Sequence, residues 1–396
     1  MENTYPKRLR SFALPQGSKV AATWLILFLL CFPKGGIKLV GIPLTWGYLL
    51  LFTIGTFCWI TKPLVLQKNA FKCLLALVPF QLIAFATLFL YGTENLGYSF
   101  SLFIHFFLIP WFFWGVFPQY LSQELLNDIL EGARRGVFFV ASFGIFLFLY
   151  KIATGTFLEI PFLTINYHDY KQLETLKCID RGGIFKLIST YNNGNLYGIC
   201  ILMLLPLYQH LEKRLSKRLL VKLSLILTLS RTIWLGLFLY ELLIPLTYKI
   251  SLLKKGINII FSLPGIGLSL LLLHRFFPFS LDFLLDRFLG NRLGQLEVLH
   301  DFQFFSTKPF QEVFEIIYLG ILKSFGVVGL LAFLLAMIYP LLLPSTSSFK
   351  APLSLGLFLY LLIALGDGAL LLIPVMCFYS FIVFLLHGTA KASFTS

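Results

Sequence analysis

Charge is what this sequence has least of. Only 13% of its 396 residues are Asp, Glu, Lys or Arg, against 58% hydrophobic. Ordinary soluble domains carry about 25% charged residues, so that class is excluded. The apolar runs do not alternate in polarity, which excludes a membrane β-barrel. Six cysteines occur but no Cys-x-x-Cys, so neither a disulfide framework nor a zinc site is indicated. Cys31, Cys58, Cys73, Cys200 and Cys377 fall in or beside apolar runs, and Cys178 stands alone in a polar loop. Walker A, GxGxxG and HExxH motifs are missing, so ATP-driven and metal-dependent chemistry have no support. No cofactor and no metal is expected. Internal repeats are not evident either, and with them the inverted-repeat signature of many transporters is missing.

What is there is a series of apolar runs near the 18–20 residues that cross a bilayer. The reading is an all-α, polytopic membrane protein with about twelve transmembrane helices and two long periplasmic loops. Spans are expected near 20–33, 37–60, 73–91, 100–117, 136–153, 191–208, 219–230, 231–248, 257–274, 318–343, 352–366 and 369–387. They group as a five-span bundle (1–153), a first loop (154–190), central spans (191–274), a large helical loop (275–317) and a three-span bundle (318–396). The net charge of +14 sits mostly in short loops, where cytoplasmic Lys and Arg accumulate. That explains it without nucleic acid. The clusters Lys7, Arg8, Arg10, Lys19 and Lys213, Arg214, Lys217, Arg218, Lys222 put both termini in the cytoplasm. Lys34 and two glycines follow the first apolar run in place of a small-residue cleavage site, so that run is read as a retained span. Segment 118–135, with Glu124, Asp128 and Glu131 at helical spacing, reads as a cytoplasmic amphipathic helix.

The stretch around which the chain is organised is Leu229-Ser230-Arg231-Thr232-Ile233-Trp234-Leu235-Gly236-Leu237. Arg231 lies inside an apolar run, Leu219 to Tyr248. An arginine near a bilayer centre costs roughly 3 kcal/mol on insertion scales. Basic clusters flank both ends of the run. With both flanks cytoplasmic, the run goes out and returns, and Ser230-Arg231-Thr232 form the outer turn. The alternative is one long tilted helix with Arg231 snorkelling.

Both long loops would lie on the face of that turn. The first contains an Arg181-Gly182-Gly183 turn and leads into Asn192-Asn193-Gly194-Asn195. Asparagines there can cap a helix, whose free N–H groups attract anions. The second is read as three short helical stretches. These carry Arg287, then Arg292, Gln295, Glu297, His300 and Asp301, then Gln311, Glu312 and Glu315.

Three stretches together resemble the O-antigen ligase and polymerase superfamily of bacterial inner-membrane glycosyltransferases. The first is Asn193-Gly194-Asn195-Leu196-Tyr197-Gly198, ahead of a span ending in Leu205-Pro206-Leu207. The second is the Ser230-Arg231 stretch, close to the family's Ser-Arg-x-x-Trp-Leu pattern. The third is Glu315-Ile316-Ile317-Tyr318-Leu319 with Phe325-Gly326-Val327-Val328-Gly329. The likeness covers roughly 180–340; the first five spans match in hydropathy alone. Two departures stand out. Glu315 occupies the family's histidine position, and the Pro-x-x-Gly-x-Gly before it is reduced to Lys308-Pro309-Phe310.

The resemblance implies transfer of a glycan from an undecaprenyl-diphosphate carrier to a lipid- or glycan-bearing acceptor, at the periplasmic face of the bacterial inner membrane. It places Arg231 at the donor diphosphate, with Arg292, or less favourably Arg287, as the outer-loop arginine. Ser230, Asn195 and Arg181 complete the expected substrate-binding set. Glu315 is the candidate base or acceptor-orienting group, with His300 as the alternative. Each has a plainer reading: a solvated helix face for Glu315, a surface histidine for His300, an ion pair with Asp286 or Asp282 for Arg287. The rival function is a transporter or flippase for a lipid-linked or small anionic substrate, for which Glu241, His105 and Lys323 are the interior ionisable candidates.

Overall fold

The computed structural model describes residues 20, 23–39, 42–61, 66–120, 123–176, 185–247, 267, 275, 293–300, 302–311, 314–345 and 347–387. The expected span 257–274 and the basic groups at 7–19 and 249–255 fall outside these, apart from Gly267.

Most of the described chain is helical. A π-helical turn (Leu27–Cys31) precedes a two-stranded hairpin, β1 (Gly36–Leu39) and β2 (Ile42–Thr45). Then come α1 (Trp46–Thr61), α2 (Lys68–Tyr91), α3 (Leu96–Val116) and α4 (Gln123–Thr154). Next are α5 (Gly194–Leu211), α6 (Leu215–Ile226) and α7 (Arg231–Thr247). The chain closes with α8 (Ile317–Leu342), α9 (Lys350–Ile363) and α10 (Ile373–His387).

The bundle is built round α5. A helix that is apolar on all sides has no solvent face and must be enclosed, and from Leu196 to Tyr208 every residue of α5 is buried. Its neighbours are α4, α7, α9 and α10. Small residues let them close in, as at other membrane helix contacts. A Cβ on Gly198 would stand 2.4 Å from Ile233, one on Gly236 2.2 Å from Leu202, and one on Gly356 2.3 Å from the Met203 carbonyl. On the other side Phe80, Phe106, Phe325 and Phe333 pack edge to face, with centroids 4.8–6.0 Å apart, joining α2, α3 and α8 as aromatic pairs prefer.

Among the described residues, four helices are long and apolar enough to cross a membrane: Lys68–Tyr91, Leu96–Val116, Glu124–Thr154 and Ile317–Leu342. Outward-facing Phe52, Phe85, Phe89, Leu331 and Leu342 are all more than half exposed. Such apolar surface is untenable in water and marks a membrane protein.

Three expectations change. The run 37–60 is not one span: it opens with the hairpin, since Gly35-Gly36 and Pro43 interrupt a helix. The hairpin pairs Gly36 with Thr45 and Leu39 with Ile42, and docks on the 154–190 loop through the Gly36–Asn166 bridge and Trp46 Nε1 donating to the Phe162 carbonyl (2.7 Å). From Gln123 on, the amphipathic segment and the span 136–153 are one continuous α4, because nothing after Gln123 breaks the helical backbone; residues 117–120 before it form a 3-10 turn. And α8 is bent at Gly326 (φ 73°, ψ −174°). There the N–H groups of Val327 and Val328 donate to the Gln303 and Phe304 carbonyls. A Cβ on Gly326 would meet the Phe304 carbonyl at 2.6 Å, so both φ and space require glycine.

Candidate functional site

The site forms where the N-terminus of α5 meets the start of α7. Asn193 caps α5, its Oδ1 accepting from the N–H groups of Asn195 (2.8 Å) and Leu196 (3.2 Å), the usual N-cap arrangement. Just before it, Asn192 takes a left-handed conformation (φ 55°) and donates to the Thr164 carbonyl (2.8 Å). The Asn195 side chain reaches across the bundle, Nδ2 donating to Asp367 Oδ2 at 2.6 Å. Its Oδ1 is buried without a partner among the described residues.

The apolar run 219–248 breaks as the out-and-back reading expects, and the single long helix is overturned. Helix α6 ends at Ile226 and α7 begins at Arg231. Between them Leu229 adopts φ 49°, and the Leu187 N–H donates to the Leu227 carbonyl (2.9 Å). Carbonyls at a helix end need partners. Thr228 Oγ1 donates to Leu225 O (2.7 Å) and Trp234 Nε1 to Ile226 O (2.8 Å). The tryptophan of the Ser-Arg-x-x-Trp pattern thus ties the end of one helix to the start of the next. Ser230 is buried, its carbonyl accepting the Trp234 N–H (2.9 Å), and Arg231 is half-buried.

The turn between α9 and α10 completes the site. A Cβ on Gly366 would stand 3.3 Å from Thr232 Oγ1, so this turn lies against the start of α7. Asp367 is only 5% exposed. The Gly368 N–H donates to the Glu315 carbonyl (3.1 Å), and the Tyr360 hydroxyl to the Gly368 carbonyl (3.2 Å). Segments 193–195, 230–232, 315–317 and 366–369 therefore converge. Residues with positive φ other than glycine (Phe162, Lys171, Ser189, Asn192, Leu229 and Ala369) gather at this same end. Such backbone strain clusters at functional sites.

Of the sequence-predicted residues, Arg231, Ser230, Asn195 and Glu315 are brought to one end of the bundle. Glu315 is exposed and not helical: of the expected helical stretch 311–315, the described residues 311, 314 and 315 are irregular, and α8 starts two residues later. Gln311 Nε2 donates to Glu94 (2.9 Å), and the Phe310 N–H to the Gly92 carbonyl (3.1 Å). These ties hold the segment against the end of α2 in place of a helix. His300 is exposed, closing the 3-10 turn Leu293–Leu299 with its N–H on the Glu297 carbonyl (3.0 Å). Arg181, Arg287 and Arg292 lie outside the described residues, as does Glu312.

The residue that sequence reasoning missed is Asp367. Its signal was available: it is the one acid after Glu315 in the whole chain, held in Gly366-Asp367-Gly368 between two apolar runs. In the neighbouring loop, burial pushes the Glu159 carboxyl above its ordinary value, against the Lys171 N–H, which donates to it at 2.8 Å.

The interior ionisable groups have internal partners. Glu241 pairs with Lys222 at 2.5 Å, joining α7 to α6. Lys323 lies over the Phe314 ring, 4.4 Å from its centroid. His105 meets the Ser101 carbonyl through Nδ1 at 2.5 Å. Glu241, the best feature of the transporter reading, is an interhelical ion pair.

No family model matches the chain, and no match is found among curated proteins or solved structures.

Proposed function

We propose that this protein transfers a glycan from an undecaprenyl-diphosphate carrier to an acceptor sugar at the periplasmic face of the bacterial inner membrane, as an O-antigen ligase or polymerase. The observation that carries the reading is the meeting of Arg231, at the start of a helix that interrupts an apolar run, with Asn195, Asp367 and the Glu315 segment. A helix start favours anions, and a guanidinium grips two phosphate oxygens at once. In the reaction the bond between the donor sugar's anomeric carbon and the diphosphate oxygen breaks, and the electron pair leaves with the diphosphate against Arg231. The acceptor hydroxyl oxygen bonds to that carbon, and its proton passes to the Glu315 carboxylate. Asp367 accepts from Asn195 and so fixes the carboxamide beside the site. Arg231 does for the leaving charge what a divalent metal does elsewhere. Chelator is expected to leave transfer intact, and loss restored by magnesium would overturn the arginine mechanism.

The test is reconstitution with a defined undecaprenyl-diphosphate glycan, reading release of the carrier diphosphate. Arg231→Ala is expected to lower the rate on the order of 10³-fold. Arg231→Lys, which keeps the charge and loses the fork, should lose most of it, both at wild-type abundance. A lysine variant of full activity would remove Arg231 from the site and the reading with it.

A further inference from the structure

A second feature stands apart from Arg231. A cavity of about 1180 Å³ lies between α1 and α3, beneath the 154–190 loop. That exceeds the roughly 300–1,000 Å³ of ordinary small-molecule sites. Its lining changes character along its length. At the loop end stand Thr45, Asn95, Ser101, Asn166 and Asn192, with one basic and one acidic side chain, Lys34 and Asp169. Further along α1 and α3 the walls are Phe52, Gly55, Ile104, Leu108, Trp111 and Phe112. From Thr45 to Thr56 the cavity follows α1 for about 16 Å at the helical rise. That is about half of the ~30 Å hydrocarbon core, the depth of one leaflet.

Two further observations point to an occupant. The apolar wall is the part of α3 that departs from α-helix: π-helical turns at Ile104–Leu108 and Phe112–Val116, a distortion common at functional sites. And each asparagine at the polar end uses one side of its carboxamide on the backbone. Asn95 Oδ1 accepts from Tyr98 N (3.2 Å), Asn166 Oδ1 from His168 N (3.0 Å), and Asn192 Nδ2 donates to Thr164 O (2.8 Å). The other side of each has no partner among the described residues, although Asn166 and Asn192 are more than nine-tenths buried. Carboxamides present donors and acceptors together, which is what sugar hydroxyls need. The balanced pair of charges does not favour a phosphate head, for which arginines are wanted.

We infer that this cavity binds a membrane amphiphile with a sugar head, the hydroxyls on Asn95, Asn166 and Asn192 and one hydrocarbon chain along the π-helical wall of α3. Binding here is independent of Arg231, so its failure and the failure of the transferase reading are told apart.

The test is photo-crosslinking of the full chain in phosphatidylcholine nanodiscs. The probes are trace alkyl glucoside, alkyl phosphate and alkyl phosphocholine with the same photoactivatable chain. The glucoside is expected to label α1 and α3 about tenfold more than the alkyl phosphate, a difference of about 1.4 kcal/mol, and to be displaced by unlabelled alkyl glucoside. Thr56→Trp, which fills the apolar part from an exposed position, should cut the labelling by a similar factor at an unchanged melting temperature. Asn166→Ala should lower glucoside labelling and leave the phosphate probe where it was. Equal labelling by all three heads, preference for the phosphate, or adducts outside α1 and α3 would overturn the assignment. The wild-type comparison of heads decides it should either variant fail to fold.

Discussion

The two ends of α5 are opposites. At its C-terminus the polar groups close on one another. Glu212 is 2% exposed and accepts from Arg134 Nη1 (2.5 Å) and the Arg214 N–H (2.9 Å), while Arg218 Nε donates to its carbonyl. Arg134 also pairs with Glu131 (2.6 Å). An acid at a helix C-terminus opposes the macrodipole, and two arginines offset it. At the N-terminus the polar groups stay open: Asn195 Oδ1 is buried without a partner among the described residues, left-handed residues flank the cap, and a cavity lies beside it. A closed network holds helices together. Unsatisfied buried groups cost stability and persist where something else uses them. One end of the helix thus has a closed, stabilising network, and the other is the end at which the proposed function places its chemistry.

The largest effect that would break this comparison is at the closed end. Glu212→Gln removes a buried carboxylate from the Arg134 guanidinium and the Arg214 N–H. Breaking a buried pair costs about 3–5 kcal/mol, and the lower figure is expected because Arg134 keeps Glu131. Denaturant titration at neutral pH should show the loss, with transfer per folded molecule unchanged. The pH dependence has a definite sign. Burial alone would raise the Glu212 carboxyl, but the Arg214 N–H and Arg134 hold it below its ordinary value. Its contribution is thus complete above the unfolded carboxylate pKa of about 4.3 and disappears as pH falls through the lower folded value. The gap between wild type and Glu212→Gln should close in that window. A gap that widens on acidification would contradict the paired carboxylate.

At the open end the pattern should invert. Glu315→Gln keeps the side-chain size and leaves the backbone carbonyl that receives the Gly368 N–H, so it changes the charge alone. As the proposed base for the acceptor hydroxyl, Glu315 should be worth roughly 10²-fold or more in turnover. Measured beside Glu212→Gln, it should lose rate at full abundance. A near-normal rate would return Glu315 to a solvated face and shift the role to His300.

How far the sequence could be read follows the same division. The broken run at 227–230 was legible because charge must leave a bilayer: basic flanks and Arg231 demanded it. The asparagine cap was legible from local hydrogen bonding. The hairpin at 36–45 was not, since its apolar residues give the same hydropathy as a span, and only Gly35-Gly36 and Pro43 argued otherwise. The loop 300–316 misled for another reason. Its polar spacing is helical, but the backbone of Gln303, Phe304 and Phe310 is taken by partners remote in sequence, Val327, Val328, Gly92 and Glu94. Asp367 was overlooked because a lone acid has no spacing. It gains meaning through Asn195, 172 positions away.

The smallest expected effect tests whether the break itself is built or merely tolerated. Trp234 Nε1 donates to Ile226 O at 2.8 Å, one of the carbonyls that α6 cannot satisfy within itself. Trp234→Phe keeps an aromatic ring against the core and removes only this donor. The Ile226 carbonyl also accepts the Leu229 N–H (3.2 Å), so it is not stranded, and the loss of one of its two hydrogen bonds costs about 0.5–1.5 kcal/mol. Because Ser230 and Arg231 lie between the two helix ends, loosening the tie should also spread the orientation of Arg231. The variant should therefore lose about 1 kcal/mol in stability together with a several-fold loss of transfer. Glu212→Gln, although more destabilising, should leave transfer per folded molecule intact. If Trp234→Phe behaves like Glu212→Gln, with stability lowered and rate untouched, the tryptophan is a staple like those at the closed end. The Arg231 geometry would then be held by other contacts, and the division between the two ends of α5 would need to be redrawn at Ser230.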